Sequence, residues 1–347
     1  MALTATALTE YRANYAESNL DLHEHRMSKY GAFDAFVSDA NNLLPQLQDI
    51  KDARTTSARA VKVPVIKRGS VSLLSARSCS YTAKRNTSAL VTITFATTGF
   101  AFDMYPAEFY NNELAYMDDF KRKMDDGQRA VLAAWDTACV AKLDSVKSAV
   151  NNADGNPYSV IGNTMVVPNG DEDTLFNELG AIMDQNDIYG NINVVASPRL
   201  RVMIQHLINQ GQANDENTAY QFGDYTFRYS NRVTVPADSR DAFYAYPNAS
   251  LAFVNWNDMT SRMGAESTDG KRWSIERMPL IGMDFGMIYQ STCADGSTSA
   301  ITDSAGSESA VLRESFQFTT DYALVTAYNS DSATLPGTVF KGKILKA

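Results

Sequence analysis

The sequence predicts an α+β fold, and three observations support this prediction. A basic segment that includes residues 60–66 and 89–95 alternates in the manner of two β-strands. A long helical pattern covers about residues 128–150, and short strands alternate with helices between residues 171 and 254. Longer strand patterns follow residue 271, so helices and strands of very different lengths share one chain of 347 residues.

The composition of the chain excludes several classes of protein. Hydrophobic residues make up 44% and charged residues 20%, so the chain can bury a core and forms one large or two modest domains. Its 31 basic and 40 acidic residues give a net charge of −9, which excludes a generally basic nucleic-acid binder. No apolar run approaches the roughly 18 residues of a membrane helix, and the chain does not open on a signal-peptide pattern. We therefore expect a soluble protein that is not exported and has no membrane partner.

The first 51 residues predict an extended arm with one or two short helices. Their apolar periodicity is scattered, and the clearest helical face consists of Tyr30, Phe33, Phe36 and Val37. This arm has no independent core.

The basic segment that follows predicts a two-armed β-ribbon with a polar tip. Residues 51–90 contain nine basic residues and one acidic residue, a local charge of +8 that leaves −17 on the rest of the chain. Between Gly69 and Ser88 the ribbon has too few large apolar residues to bury itself, so it must lie on another surface.

Three interpretations of the ribbon are open. An arm for nucleic acid would need aromatic residues for stacking, and only Tyr81 stands among the basic positions. A solvated loop without function is the second interpretation. The third, which we favour, is an intersubunit arm that meets the acidic remainder of an identical neighbour. The candidate contact residues are Arg59, Lys62, Lys67, Arg68, Arg77, Lys84 and Arg85.

The strongest helical pattern follows the ribbon. Pro106 suits a first helical turn, and Gly127 predicts a kink or break. A core-facing stripe then continues at spacings of three and four, so a helix over residues 128–150 would be roughly 35 Å long. The members of the stripe are Leu132, Trp135, Cys139, Leu143, Val146 and Val150.

The middle of the chain predicts a mixed sheet with helices. Acidic residues at 171–173 favour the start of a helix, and Ser197-Pro198 favours the start of another that ends near Gly211. The predicted strands of this region are residues 193–196, 225–229, 232–235, 243–246 and 251–254. Further strands are predicted at residues 272–277, 285–289, 315–318 and 323–328, and the polar residues 291–310 predict an exposed loop.

Motifs for catalysis, cofactors and metals are weak. His23 and His25 lack the spacing of a zinc helix, and His206 lies off the apolar stripe of its helix. The stretch from Gly264 to Lys271 has one residue too many for a phosphate-binding loop. Three cysteines without short spacing argue against a disulfide framework and a zinc site. We expect no catalytic residue, no cofactor and no metal.

The order of these segments resembles the major capsid protein of tailed bacteriophages, the Hong Kong 97 type of fold. The resemblance covers essentially the whole chain. It is based on the order of the predicted segments and on the sequence of residues 193–199 at the start of a helix. It implies an N-terminal arm over residues 1–51, an E-loop over 52–98, and the first part of a peripheral (P) domain with a spine helix over 99–165. It further implies an axial (A) domain over 166–271 and return strands of the P domain with a C-terminal segment over 272–347.

The resemblance also implies a function without catalysis. The subunit would assemble with itself into hexamers and pentamers of an icosahedral head, and each E-loop would reach over the adjacent subunit. Scaffolding, portal and decoration proteins would be partners, and packaged double-stranded DNA would be contacted without sequence specificity. The location would be the virion, with assembly in the host cytoplasm.

Other functions and details stay open at this point. A nanocompartment shell protein of the encapsulin kind shares the fold, and a monomeric hydrolase has thin support. Some relatives crosslink an E-loop lysine to a neighbour, and Lys62, Lys67 and Lys84 lie in that segment, but no motif matches and we do not predict the bond. We expect any scaffolding function to belong to a separate protein or to a removed segment, and we expect the loop at residues 291–310 on the outside of the shell.

Overall fold

A computed structural model describes residues 29–43, 60–66, 88–106, 113–148, 157–171, 174–186, 188, 190–212, 225–257, 271–294, 311–327 and 337–346. Its helices are α1 (Gly31–Leu43), α2 (Glu113–Val146), α3 (Leu175–Gln185) and α4 (Leu200–Gln212). Its strands are β1 (Ala60–Ile66), β2 (Ser88–Thr94), β3 (Ala96–Met104), β4 (Ser159–Ile161), β5 (Thr164–Val167), β6 (Ile192–Ala196), β7 (Tyr225–Tyr229), β8 (Ser239–Pro247), β9 (Leu251–Trp256), β10 (Lys271–Met278), β11 (Met283–Ala294), β12 (Val311–Thr326) and β13 (Phe340–Leu345). The predicted α+β class is confirmed, with more strands than helices in the described residues.

The chain divides into two compact units. The described residues of the first unit come from Phe95–Ala134 and Asn255–Tyr322. Those of the second unit come from His23–Thr94, Trp135–Val254 and Ala323–Ala347. The predicted boundaries of the arm, the E-loop and the P and A domains are not tested by this division and stay predictions.

The first unit contains an antiparallel sheet with the strand order β10-β11-β12-β3. Residues alternate along β3, so that Phe100, Phe102 and Met104 are more buried than their neighbours. Phe102 meets Phe120 of α2 edge to face, with 5.5 Å between ring centroids. The apolar face of the sheet therefore packs on the first part of α2.

Helix α2 passes through Gly127 as one α-helix, so of the predicted kink or break the break is wrong. A Cβ atom at Gly127 would overlap the ring of Phe100. The glycine is thus explained by the close approach of β3 rather than by an interruption of the helix. The predicted helical patterns before and after Gly127 thus form one helix, which begins at Glu113 and ends at Val146 rather than at Val150.

The second unit contains a mixed sheet with the strand order β4-β5-β13-β8-β6-β7. Strand β13 pairs in parallel with β5 and antiparallel with β8, so it joins the hairpin β4-β5 to the other strands. Helices α3 and α4 pack on one face of this sheet through an apolar cluster that includes Phe176, Leu179 and Ile204. This cluster is the core of the second unit.

Most predicted strands and helices between residues 171 and 328 are present, with three differences. The loop predicted at residues 291–310 begins later, because strand β11 continues to Ala294. Residues 232–235 alternate in type but form turns and irregular backbone, and the Val233 amide donates to the carbonyl of Ser230. In this turn the guanidinium of Arg232 lies over the ring of Tyr30, 5.3 Å from the ring centroid. The strands predicted at residues 315–318 and 323–328 belong to one long strand, β12, which ends at Thr326.

Candidate assembly ribbon and the unit that carries it

The predicted ribbon is present as two antiparallel strands. Seven residue pairs join β1 to β2, from Ala60↔Thr94 at one end to Ile66↔Ser88 at the other. Among the described residues these strands form a sheet of their own, with no third strand. Two strands alone are marginally stable in water, so the ribbon needs a further surface.

The predicted contact residues fall mostly outside the described residues. Lys62 lies in β1, opposite Thr92 of β2. The described ranges do not include the other six, which are Arg59, Lys67, Arg68, Arg77, Lys84 and Arg85. Their role in an intersubunit contact therefore stays a prediction.

The second unit holds helix α1 through a buried ion pair. Nε of Arg228 on β7 donates to Oδ2 of Asp34 over 2.9 Å, and both side chains are at least nine-tenths buried. The same guanidinium donates to Ser38 Oγ over 2.8 Å and to Asn193 Oδ1 over 3.3 Å. Asp34 and Ser38 both belong to α1, whereas Arg228 belongs to a strand of the sheet. The arginine therefore holds α1 against the sheet.

A second carboxylate of α1 caps the turn between β8 and β9. Asp39 accepts the backbone N–H groups of Ala249, Ser250 and Leu251 over 2.7, 2.7 and 2.8 Å. Ala249 has a φ of 62°, in the left-handed region, which turns successive amides toward one anion. The side chain of Asp39 thus satisfies three backbone donors at once.

A third carboxylate reaches α1 from helix α2. Asp136 Oδ1 accepts the Phe33 amide over 2.9 Å, and its Oδ2 accepts the Ser230 hydroxyl over 2.5 Å. Burial raises the pKa of Asp136, although these hydrogen bonds and the charge of Arg232 at 3.6 Å favour the ionised form. The rings of Phe33, Trp135 and Phe253 pack together beside it at centroid distances of 4.9 to 5.3 Å.

The sequence pattern of the N-terminal arm predicted the apolar face of α1 but not the roles of its acidic residues. The apolar face with Phe33 and Phe36 was predicted, and both residues are buried in α1. The roles of Asp34 and Asp39 were not predicted, although two acidic residues in a short helix with an apolar face are an available signal for buried partners. Helix α1 is therefore part of the core of the second unit.

Strand β13 was also missed, and its contacts are specific along its length. Lys341 Nζ donates to Asp144 Oδ1 over 2.6 Å, and Lys343 Nζ donates to Asp238 Oδ2 over 2.5 Å. Burial would raise the pKa of Asp144, but hydrogen bonds from Lys341 and Lys147 lower it to about 2. A Cβ at Gly342 would overlap the ring of Phe243, so only glycine fits there. The alternation Phe-Lys-Gly-Lys-Ile was the available strand signal.

The first unit also contains a buried carboxylate. Glu314 of β12 accepts the hydroxyl of Tyr116 over 2.5 Å and that of Tyr289 over 2.9 Å. These two bonds fix α2 and β11 against β12. The arrangement is a structural anchor, since each carboxylate oxygen already has a hydrogen-bond partner.

Other residues from the sequence analysis form no site among those described. His206 is exposed on α4, and Cys139 is buried in α2, where burial raises the pKa of its thiol. Lys271 begins β10, whereas His23, His25 and residues 264–270 lie outside the described residues. In the described part of the chain, no three side chains of His, Cys, Asp or Glu converge in the manner of metal ligands. None of the described helices has the length and apolarity needed to cross a membrane.

Comparisons with known proteins give matches among solved structures alone. No protein-family model matches the chain, and no curated protein matches it. A chain of the structure described as Mycobacterium phage Che8 matches over 88% of this chain and 89% of its own length, at 11% identity and a TM-score of 0.50. The capsid structure of the cyanophage P-SCSP1u matches over 84% of each chain at 10% identity and a TM-score of 0.43. Mycobacterium phage Bobi matches over 84% of this chain and 86% of its own, at 10% identity and a TM-score of 0.45.

The identity is low, so the similarity concerns the fold. It extends over nearly nine-tenths of both chains in the match to Mycobacterium phage Che8. The chain therefore shares its fold with the matched chain of the structure described as Mycobacterium phage Che8.

Proposed function

We propose that the chain is a phage major capsid protein, a structural subunit without enzymatic activity. The observation that carries this proposal is the shared fold, which spans 88% of the chain. The ribbon of β1 and β2 supports it, because among the described residues these strands form a sheet of their own, and a two-stranded sheet needs a further surface such as a neighbouring subunit.

The proposal includes the finer parts that the resemblance implies. Residues 52–98 act as the E-loop, α2 acts as the spine helix, and the subunits form hexamers and pentamers of an icosahedral head around double-stranded DNA. Scaffolding, portal and decoration proteins are its partners, and the virion is its location after assembly in the host cytoplasm. Many weak contacts that act together make such a closed assembly stable.

Purification of the full chain tests this function. Sedimentation and electron microscopy should show rings or closed particles far larger than the 38.1 kDa subunit. Particles recovered from infected cells should contain double-stranded DNA, which nuclease digestion and absorbance at 260 nm would detect. Particles that hold enzymes and no DNA would instead identify a nanocompartment. A species that stays at 38.1 kDa at high concentration would contradict the proposal.

A further inference from the structure

The turn between β5 and α3 contains the one Asn-Gly pair of the sequence, Asn169-Gly170. The Asp171 amide donates to the carbonyl of Pro168 over 3.4 Å, so these four residues form a β-turn with the pair at its centre. Gly170 has a φ of 102°, a backbone conformation that favours glycine at the third position of a turn. The backbone of the turn thus explains why a glycine follows Asn169.

Both residues of the pair lie at the surface. Asn169 and Gly170 are exposed, as is Pro168 before them. A Cβ atom added at Gly170 would meet no described atom within 4 Å. Neither a side chain of residue 170 nor a packed neighbour at that position therefore shields the peptide bond between the two residues from water.

We propose that Asn169 is a site of spontaneous modification, at which the chain converts an asparagine into aspartate and isoaspartate. The backbone nitrogen of Gly170 loses its proton to hydroxide and attacks Cγ of Asn169. A bond forms between that nitrogen and Cγ, and the bond from Cγ to the side-chain nitrogen breaks. Ammonia leaves with a proton taken from water, and a five-membered succinimide ring remains.

Water completes the reaction by opening this ring. Water that adds to the Cγ carbonyl restores the ordinary main chain and leaves the carboxylate of aspartate. Water that adds to the main-chain carbonyl leaves isoaspartate, in which the main chain runs through Cγ. Hydroxide and water are the only other reactants, so the site needs no enzyme and no cofactor.

Asn163 provides a contrast within the same unit. It also lies in an exposed turn, between β4 and β5, and has a φ of 57°. The residue that follows it, Thr164, is 9% exposed and belongs to β5, where it pairs with Lys341 of β13. The branched side chain of Thr164 crowds its backbone nitrogen, and the strand holds that nitrogen in place. Ring closure is therefore disfavoured at Asn163 and open at Asn169.

The modification changes both the charge and the path of the chain before α3. Each event adds one negative charge to the −9 of the subunit. Aspartate leaves the main chain of the turn unchanged. Isoaspartate inserts one more carbon atom into the main chain, so the hydrogen bond from Asp171 to Pro168 loses its geometry. Subunits therefore acquire different chemical forms of this turn as they age.

Peptide mapping of the full-length protein tests the proposal. Folded chains are kept in mildly alkaline buffer at physiological temperature, and samples are taken over several weeks. Trypsin cleavage after Lys147 and Arg199 leaves Asn163 and Asn169 in a single peptide, so both are measured together. Electron-transfer fragmentation assigns the modified residue and separates aspartate from isoaspartate. A sample digested at the start corrects for modification during digestion.

We expect this peptide to gain about 1 Da at Asn169, the difference between an amide and a carboxyl group, while Asn163 stays intact. Conversion should speed up with rising pH, because the nitrogen of Gly170 must lose its proton before it attacks. Asn169→Gln should abolish the gain, because the longer side chain would have to close a six-membered ring. Gly170→Ala should slow it several-fold, because the added methyl group crowds the nitrogen.

Chains unfolded in urea serve as the reference for the folded turn. Conversion at Asn169 in folded chains at a rate near that of unfolded chains would support the proposal. Conversion in unfolded chains alone would overturn it, because the folded turn would then protect the pair. Equal conversion at Asn163 and Asn169 would also overturn it, since the turn and its glycine would not select the site.

Discussion

The guanidinium of Arg228 forms a buried ion pair with Asp34, with 2.9 Å between Nε and Oδ2. The pair joins β7 to α1, two elements of the second unit that are almost 200 residues apart in sequence. Since both charges are removed from water, each depends on the other for compensation.

The first prediction concerns this pair. Asp34→Ala should lower the free energy of unfolding by about 3 to 5 kcal/mol, because the variant leaves the guanidinium of Arg228 buried without its counter-ion. Thermal or urea unfolding of the dissociated subunit measures the loss.

A surface pair provides the control for Asp34→Ala. Asp119 and Lys123 are four residues apart on α2, and their side chains are 32% and 37% exposed. Asp119→Ala should cost less than about 1 kcal/mol, as exposed pairs usually do. A similar loss in the two variants would show that the Arg228 pair does not hold α1 in place.

The second prediction concerns Gly127 of α2. In an exposed helix, replacing glycine by alanine stabilises by about 0.5 to 1 kcal/mol. At Gly127 the added Cβ overlaps the ring of Phe100, so Gly127→Ala should be destabilising instead. Urea unfolding of the dissociated subunit should therefore give a lower midpoint for this variant.

Gly180 of α3 is the matched position for this comparison. A Cβ there would meet only the hydroxyl oxygen of Tyr225, at 3.5 Å, an ordinary contact. Gly180→Ala should therefore raise the midpoint of unfolding. If both variants shifted the midpoint in the same direction, the close approach of Phe100 to α2 would not be the reason that position 127 is a glycine.

The third prediction is a pH dependence that arises from Asp136. Burial raises the pKa of Asp136 in the folded state above its ordinary value of 3.8. The folded protein therefore binds this proton more readily than the unfolded chain, and stability falls as the pH rises through that interval. Relative to Asp136→Asn, the wild type should gain free energy of unfolding when the pH is lowered from 7 toward 4. Urea titrations of both proteins at several pH values measure this difference.

Asp144 should show the opposite sign. Lys341 and Lys147 outweigh the effect of burial and lower the pKa of Asp144 to about 2. The stability that its ionised form contributes is complete above a pH of about 4 and is lost as the pH falls toward 2. Relative to Asp144→Asn, the wild type should thus lose its advantage in acid. Parallel curves for the variants at Asp136 and Asp144 would show that neither carboxylate has a shifted pKa.

Local patterns in the sequence were sufficient for much of the fold. The ribbon strands, the long helix α2 and the helix after Ser197-Pro198 follow from alternation, helical spacing and terminal residues. Gly127 was misread because its reason is a contact with Phe100, a residue on a strand of the sheet. Such a contact becomes visible only when β3 is placed against α2.

The sequence predicted the charge of the β1–β2 ribbon better than the pairing of its residues. The excess of basic residues can be counted from the sequence, but the pairing of Val63 with Val91 depends on the register of two strands separated by 21 residues. A shift of one position would mix the two faces. Which residues of the ribbon share a face therefore follows only from the register of the paired strands.

The last prediction tests the charge of the ribbon. Reversal of Lys62, Lys67 and Arg68 to glutamate should prevent particle formation while the subunit keeps its circular dichroism spectrum, because in the proposed assembly these charges act between subunits. A matched variant reverses Arg122, Arg129 and Arg199, which are exposed on or beside helices α2 and α4, and so has the same net charge. It should assemble normally, and added salt should weaken wild-type assembly, since salt screens exposed charges. Normal particle yield from the ribbon variant, or its unfolding, would show that the basic residues do not orient the subunits.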